Sequence, residues 1–142
     1  MTAFADARVA RLATVDESGA PHLVPIVFAL SGGPVAGATI HTAVDAKPKR
    51  HLRLRRLANI AHEPRVSVLV DHYDEDWTLL WWVRADGIAR LADASPEALA
   101  ALIAKYPQYR TTPPPGPFLT IEVRRWSAWS ATPGLSNPTK PL

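Results

Sequence analysis

The chain has 142 residues, 47% of them hydrophobic, 16 Lys plus Arg against 13 Asp plus Glu, a formal charge of +3 and no cysteine. That length suits one ordinary domain, and the composition suits a folded protein rather than a disordered one. The missing cysteines exclude disulfide scaffolds, thiol nucleophiles and thiolate metal sites. No segment approaches the roughly 20 apolar residues a bilayer span needs, and Met-Thr-Ala-Phe-Ala-Asp lacks the basic flank and apolar run of a leader, so a cytoplasmic protein is expected.

Arg8 to Val15 is apolar and β-rich, Asp16 to Ala20 carries turn chemistry with Gly19, and His22 to Leu30 is a nearly continuous apolar run containing Pro25. This predicts a hairpin, with Pro25 at a bulge or an edge because it cannot donate to a β-ladder. Gly32, Gly33 and Pro34 then break the chain before a strand over Val35 to Val44.

Residues 47–56 read Lys-Pro-Lys-Arg-His-Leu-Arg-Leu-Arg-Arg, six cations and no acid. The spacing of Leu54, Leu57, Ala58 and Ala61 predicts a helix from about Arg50 to His62 that buries those four and wets Lys49, Arg53 and Arg56. Such a surface attracts phosphate or carboxylate, for which Arg supplies forked hydrogen bonds; the alternative is a solvated face with no ligand.

Arg65 to Asp71 alternates, with Val66, Val68 and Val70 on one face. Asp71-His72-Tyr73-Asp74-Glu75-Asp76 is an acidic strand exit, read either as a solvated turn or as a partner for the basic helix of a second subunit. Leu79 to Leu91 is β-rich and interrupted at Asp86-Gly87, which suits one long bulged strand or a tight hairpin. Ser95-Pro96-Glu97 opens a helix to about Lys105 with a hydroxyl cap, a proline at the first position and an acid near the positive end. Residues 111–117 form a proline-rich connector, Phe118 to about Ala131 a last strand, and residues 132–142 an irregular tail. Six strand-like segments with two short helices predict a mainly β chain, a small antiparallel barrel in a single domain.

No Gly-x-Ser-x-Gly, Walker or Gly-x-Gly-x-x-Gly motif is present, and the five histidines have no spacing that makes a metal site, so hydrolase, nucleotide-loop and metal chemistry are disfavoured. Trp81 and Trp82 are adjacent on a strand and point to opposite faces; one lines the core, and the other is a subunit contact or a flat wall for a conjugated ring.

The motifs in order resemble the flavin and deazaflavin split-barrel proteins, similar to pyridoxamine 5'-phosphate oxidase, and in particular their actinobacterial coenzyme F420-dependent branch. The resemblance rests on Arg-Val-Ala-Arg-Leu-Ala-Thr-Val at 8–15, the Gly19 turn, His22 to Leu30, the stretch from Asp45 to Asn59, Glu63 to Val70 and Trp82 to Gly87, and it covers residues 5–131. It implies a six-stranded antiparallel split barrel of the FMN-binding type, a homodimer with two cofactor sites at the interface, and hydride transfer between a deazaflavin and a small unsaturated molecule. It also implies cofactor contacts: Pro25, Ile26 and Val27 as a backbone wall for the ring, Thr42 on the next strand, Lys47, Lys49, Arg50, Arg55 and Arg56 for the anionic tail, and Trp81 or Trp82 closing the site from the partner. No catalytic side chain is implied. Two rival readings are an FMN-loaded oxidase or reductase of the same fold and a nucleic-acid-binding module that uses the Arg-rich helix.

Overall fold

In the computed structural model the described residues are 2–32, 37–44 and 50–132, with backbone alone for Thr2 and residues 50–54. Lys47 and Lys49 lie outside them, as does the start of the strand expected from Val35. The elements run α1 (Thr2–Asp6), β1 (Ala10–Val15), β2 (Pro21–Ile26), β3 (Ala29–Ser31), β4 (Thr39–Ala43), α2 (Arg50–His62), β5 (Arg65–His72), β6 (Trp81–Ala92), α3 (Pro96–Lys105), α4 (Gln108–Thr111) and β7 (Phe118–Ser130).

All seven strands form one antiparallel sheet in the order β2-β1-β5-β6-β7-β4-β3. Consecutive strands β2 and β3 therefore lie at opposite edges, yet only Val27 and Phe28 separate them. Three peptide steps span at most about 11 Å, so the two edges must meet there. The sheet is thus curled into a barrel whose seam is closed by the chain itself rather than by a β-ladder. This is the physical content of a split barrel.

The strand count corrects the expectation of six. The apolar run His22 to Leu30 reads as one strand, but the chain must cross the seam at Val27 and Phe28, so it yields β2 and the three-residue β3. The crossing is fixed by Tyr106: its hydroxyl accepts from the Phe28 amide at 3.1 Å and faces the carbonyls of Arg8 at 2.9 Å and Phe28 at 3.0 Å. Pro25 falls on an edge strand, where its missing N–H costs no ladder bond.

Inward side chains fill the barrel, among them Leu12, Phe28, Ile40, Val68, Val83, Leu119 and Ile121, each fully buried. A second cluster lies outside, where α3 sets Ala98 and Leu102 against Ala29, Ala43 and Phe118. That is why β4 is buried on both faces instead of alternating. The Ser95 hydroxyl caps α3 at the Ala98 amide, as its sequence predicts. The Asp86-Gly87 break lies within one long strand and closes no hairpin, but the bulge is on the strand opposite: Asp86 pairs with Arg125 and Gly87 with Val123, which leaves Arg124 of β7 as the extra residue.

α2 spans Arg50–His62 as expected, but its buried face differs. Ala58 and Ala61 are exposed, while Asn59 and Ile60 are buried. Asn59 Nδ2 donates to Thr14 Oγ1 at 3.2 Å, a buried polar pair that an apolar periodicity does not register. Arg56 shares this half-buried side and Arg55 the wet one.

Lys105 ends α3 with its Nζ buried, lacking a hydrogen-bond partner among the described residues, 3.8 Å above the Phe28 ring centroid. Burial first and Arg8 second push its amine down to about 8, against a smaller pull from Asp6. Between that value and the ordinary 10.5 the unfolded chain holds the extra proton, so stability rises as pH climbs from 8 to 10.5. In Lys105→Met this rise is expected to vanish from melting curves taken across that range; an unchanged slope would show that Lys105 keeps its ordinary proton affinity.

Candidate functional site

Two surfaces offer grooves. The first is the outer face of β2, β1, β5, β6 and β7, whose registers set side chains in rows: Pro25, Arg11, Leu69, Arg84, Ser127, then Leu23, Ala13, Ser67, Asp86, Arg125. Small residues at Ala13 and Ser67 hollow this face into two adjoining grooves. One of ≈ 450 Å³ lies between Leu23, Leu69, Tyr73 and Trp82, with Arg11, Asp71 and Arg84 at its sides. The other, ≈ 370 Å³, runs past Gly87 to Arg65 and Arg124. Leu23 is 67% exposed and Trp129, paired with Trp82 across the strands, 46% exposed, so this face presents apolar side chains to solvent among its charges. Ser67 donates to Asp86 at 2.6 Å, Asp86 lies 3.1 Å from Arg84, and the Arg84 guanidinium covers the Trp82 ring at 5.9 Å.

The second surface is the β1–β2 turn, which leads into the open edge of β2, together with the flank of α2 beside that turn. Arg55 stands there beside the β1–β2 turn, 3.9 Å from the Asp16 carboxylate, and lines a groove of ≈ 330 Å³ with Asp16, Glu17, Ser18, Ala58 and Asn59. Asp16 is already engaged, accepting from the Ser18 amide and hydroxyl and the Ala20 amide. Those bonds, the Ser18 hydroxyl first, hold its carboxyl below the usual range. The contact with Arg55 is therefore loose, and the guanidinium keeps donors for an external anion.

The residues singled out by sequence divide between these surfaces. Pro25 and Trp82 share the outer face; Arg55 lies at the far end of β2, beside the turn. Ile26 and Thr42 are buried, so only their backbones can serve a ligand, and Val27 is half-buried at the seam beneath α3. Arg50 opens α2, and its side chain is not described. Trp81 turns inward onto the core and stacks on His72 at 6.0 Å, which leaves Trp82 as the tryptophan that faces out. The acidic exit is exposed, with Asp74 and Asp76 spent on local amides and Asp76 capping a short 3-10 turn at Trp77–Leu79. Sequence reading missed Arg11 and Tyr106, which are separated from their neighbours in space by long stretches of chain.

Residues 1–130 match the family model described as pyridoxamine 5'-phosphate oxidase. The chain belongs to that family. Among solved structures, a conserved hypothetical protein of Mycobacterium tuberculosis superposes with a TM-score of 0.65 at 23% identity, over 90% of this chain and 80% of its own. An FAD-binding protein of Mesorhizobium loti gives 0.66 at 20% identity, over 89% and 88%. A heme binding protein of Mycobacterium smegmatis gives 0.59 at 19% identity, over 90% and 55%. At these identities the likeness is one of fold. No curated protein sequence matches the chain. Among the described residues of this split-barrel protein no helix is long and apolar enough to cross a membrane.

Proposed function

We propose that this chain is a coenzyme F420-dependent oxidoreductase, a single split-barrel domain that acts as a homodimer on a small unsaturated substrate in the cytoplasm. The observation that carries the reading is the open edge of β2. From Pro25 to Pro21 it extends about 13 Å at the usual strand rise, with the wall of Pro25, Ile26 and Val27 at one end and Arg55 at the other. An elongated ligand with a flat ring and a distant anionic tail suits that separation. In the sequence Arg55 belongs to a segment, 47–56, with six cations and no acid, which suits an anionic tail.

When bound, the deazaflavin supplies the hydride. The chain's own work is positional. β2 would offer unpaired backbone groups to the ring edge, Arg55 would hold the tail, and the half-buried Val27 would keep water from one side of the ring. A second copy on the outer face brings Trp82 and Trp129 over the site and covers Leu23. Leu23→Asp is accordingly expected to give monomers by light scattering while wild type gives dimers; dimers in both would remove this face from the assembly.

A second reading, with FMN in the same site, draws support from the neighbours described as FAD-binding. The test is anaerobic mixing of the protein with reduced coenzyme F420 and a panel of enones, followed by absorbance. Substrate-dependent oxidation of the coenzyme is expected from a colourless preparation. A yellow preparation that retains flavin and ignores F420 would replace the first reading with the second.

A further inference from the structure

Three residues from three elements meet behind the barrel wall. Ser31 ends β3, His41 lies in β4 and Glu97 is in the first turn of α3. Ser31 Oγ stands 2.6 Å from His41 Nε2 and 2.8 Å from Glu97 Oε1. A carboxylate only accepts, and a hydroxyl has a single proton to give. Ser31 spends that proton on Glu97, so it must accept from His41, and the imidazole carries its hydrogen on Nε2.

This assignment leaves Nδ1 as a bare acceptor. His41 is 1% exposed, and its Nδ1 is buried with no hydrogen-bond partner among the described residues. A second proton would create a buried N–H with nothing to receive it and a cation in an apolar setting. The elements packed around the ring offer little relief. β3 supplies Ser31 and Ala29, β7 supplies uncharged Thr120 opposite, and the α3 cluster holds Ala98 and Leu102, so among the described residues Glu97 is the charged group that acts on it. Burial outweighs that carboxylate and holds the imidazole below its usual value.

We propose that His41, Ser31 and Glu97 form an acid-released latch: the neutral imidazole fastens the start of α3 to the β3–β4 edge, and proton uptake at Nδ1 lets α3 come away. The latch is a regulatory contact, not part of the catalytic chemistry, and it stands whichever coenzyme the barrel holds. α3 is suited to such release because its apolar contact is a small satellite cluster separate from the barrel core.

The sign follows from linkage. With the docked state binding the proton more weakly than the open one, the opening constant of α3 rises as pH falls below 6.5, by at most tenfold per pH unit for one proton. Hydrogen exchange of the α3 amides in the full chain, corrected for intrinsic rates between pH 7.5 and 5, reads this directly. Wild type is expected to approach that slope; His41→Gln, which can still donate to Ser31 but cannot take up a proton, should be flat. Glu97→Gln, an exposed change, removes the charge that favours the imidazolium and should extend the rise to lower pH. Equal slopes in wild type and His41→Gln would overturn the latch. If His41→Gln does not fold, the wild-type His41 ring resonances decide, since a titration midpoint at or above 6.5 would also overturn it.

Discussion

Neutralising Lys49, Arg55 and Arg56 together to glutamine is expected to weaken coenzyme F420 binding about a hundredfold or more. The estimate takes at least two contacts to the anionic tail at about 1.4 kcal/mol each, the lower end for hydrogen bonds involving ionised groups. Arg55 is well placed, because it is exposed and the acid it meets, Asp16, already accepts from Ser18 and Ala20. Its removal costs the fold little, since a loose exposed ion pair contributes at most about 1 kcal/mol. In Arg55→Gln alone the loss should therefore appear in a fluorescence titration while the melting temperature moves only slightly. Wild-type affinity in the folded triple variant would detach the basic segment from the cofactor.

Gly87→Val is expected to destabilise the fold by about 3 kcal/mol, the upper range for forcing volume into a packed site. Gly87 sits where β6 meets the bulge in β7, and a Cβ there would press on the Glu122 carbonyl oxygen and the Ile121 side chain, well inside contact distance. The carbonyl cannot rotate away without breaking the ladder between the two longest strands. Its neighbour Asp86 holds Ser67 and Arg84 on the outer face, so the damage should spread into the grooves there. For a chain of this size the shift in melting temperature is roughly 10 °C downward. A melting temperature within a degree or two of wild type would show that the bulge relaxes freely.

Where local chemistry decides the structure, the sequence is readable. Ser95-Pro96-Glu97 sets the start of α3 without tertiary help, and Asp86-Gly87 marks the bulge because glycine alone tolerates the close approach of β7. Valines at alternate positions from Val66 place β5 with one face inward. Reading fails where distant segments decide. The run from His22 to Leu30 looks like one strand because nothing in it announces that the chain must step across the seam at Val27 and Phe28. Ala58 and Ala61 satisfy a helical period, yet α2 turns Asn59 inward because Thr14, 45 positions earlier, offers it a buried hydroxyl. The contact of Ser31 with Glu97 across 66 positions has no local signature either.

The site was legible in kind more than in detail. A basic segment and an edge proline are visible as residue types, whereas the place of Arg55 beside the β1–β2 turn and of Pro25 on β2 follows only from the fold. The direction in which Trp81 and Trp82 face needs the sheet as well: Val83 and Ala85 are buried, which puts Trp81 on the core side and Trp82 on the groove side.

The most direct measurement is a calorimetric titration of the wild-type protein with coenzyme F420 and with FMN, side by side. The account predicts saturable F420 binding, one molecule per chain, tighter than FMN because the longer ligand reaches from the β2 wall to Arg55. No heat and no saturation with either ligand at millimolar excess would contradict it.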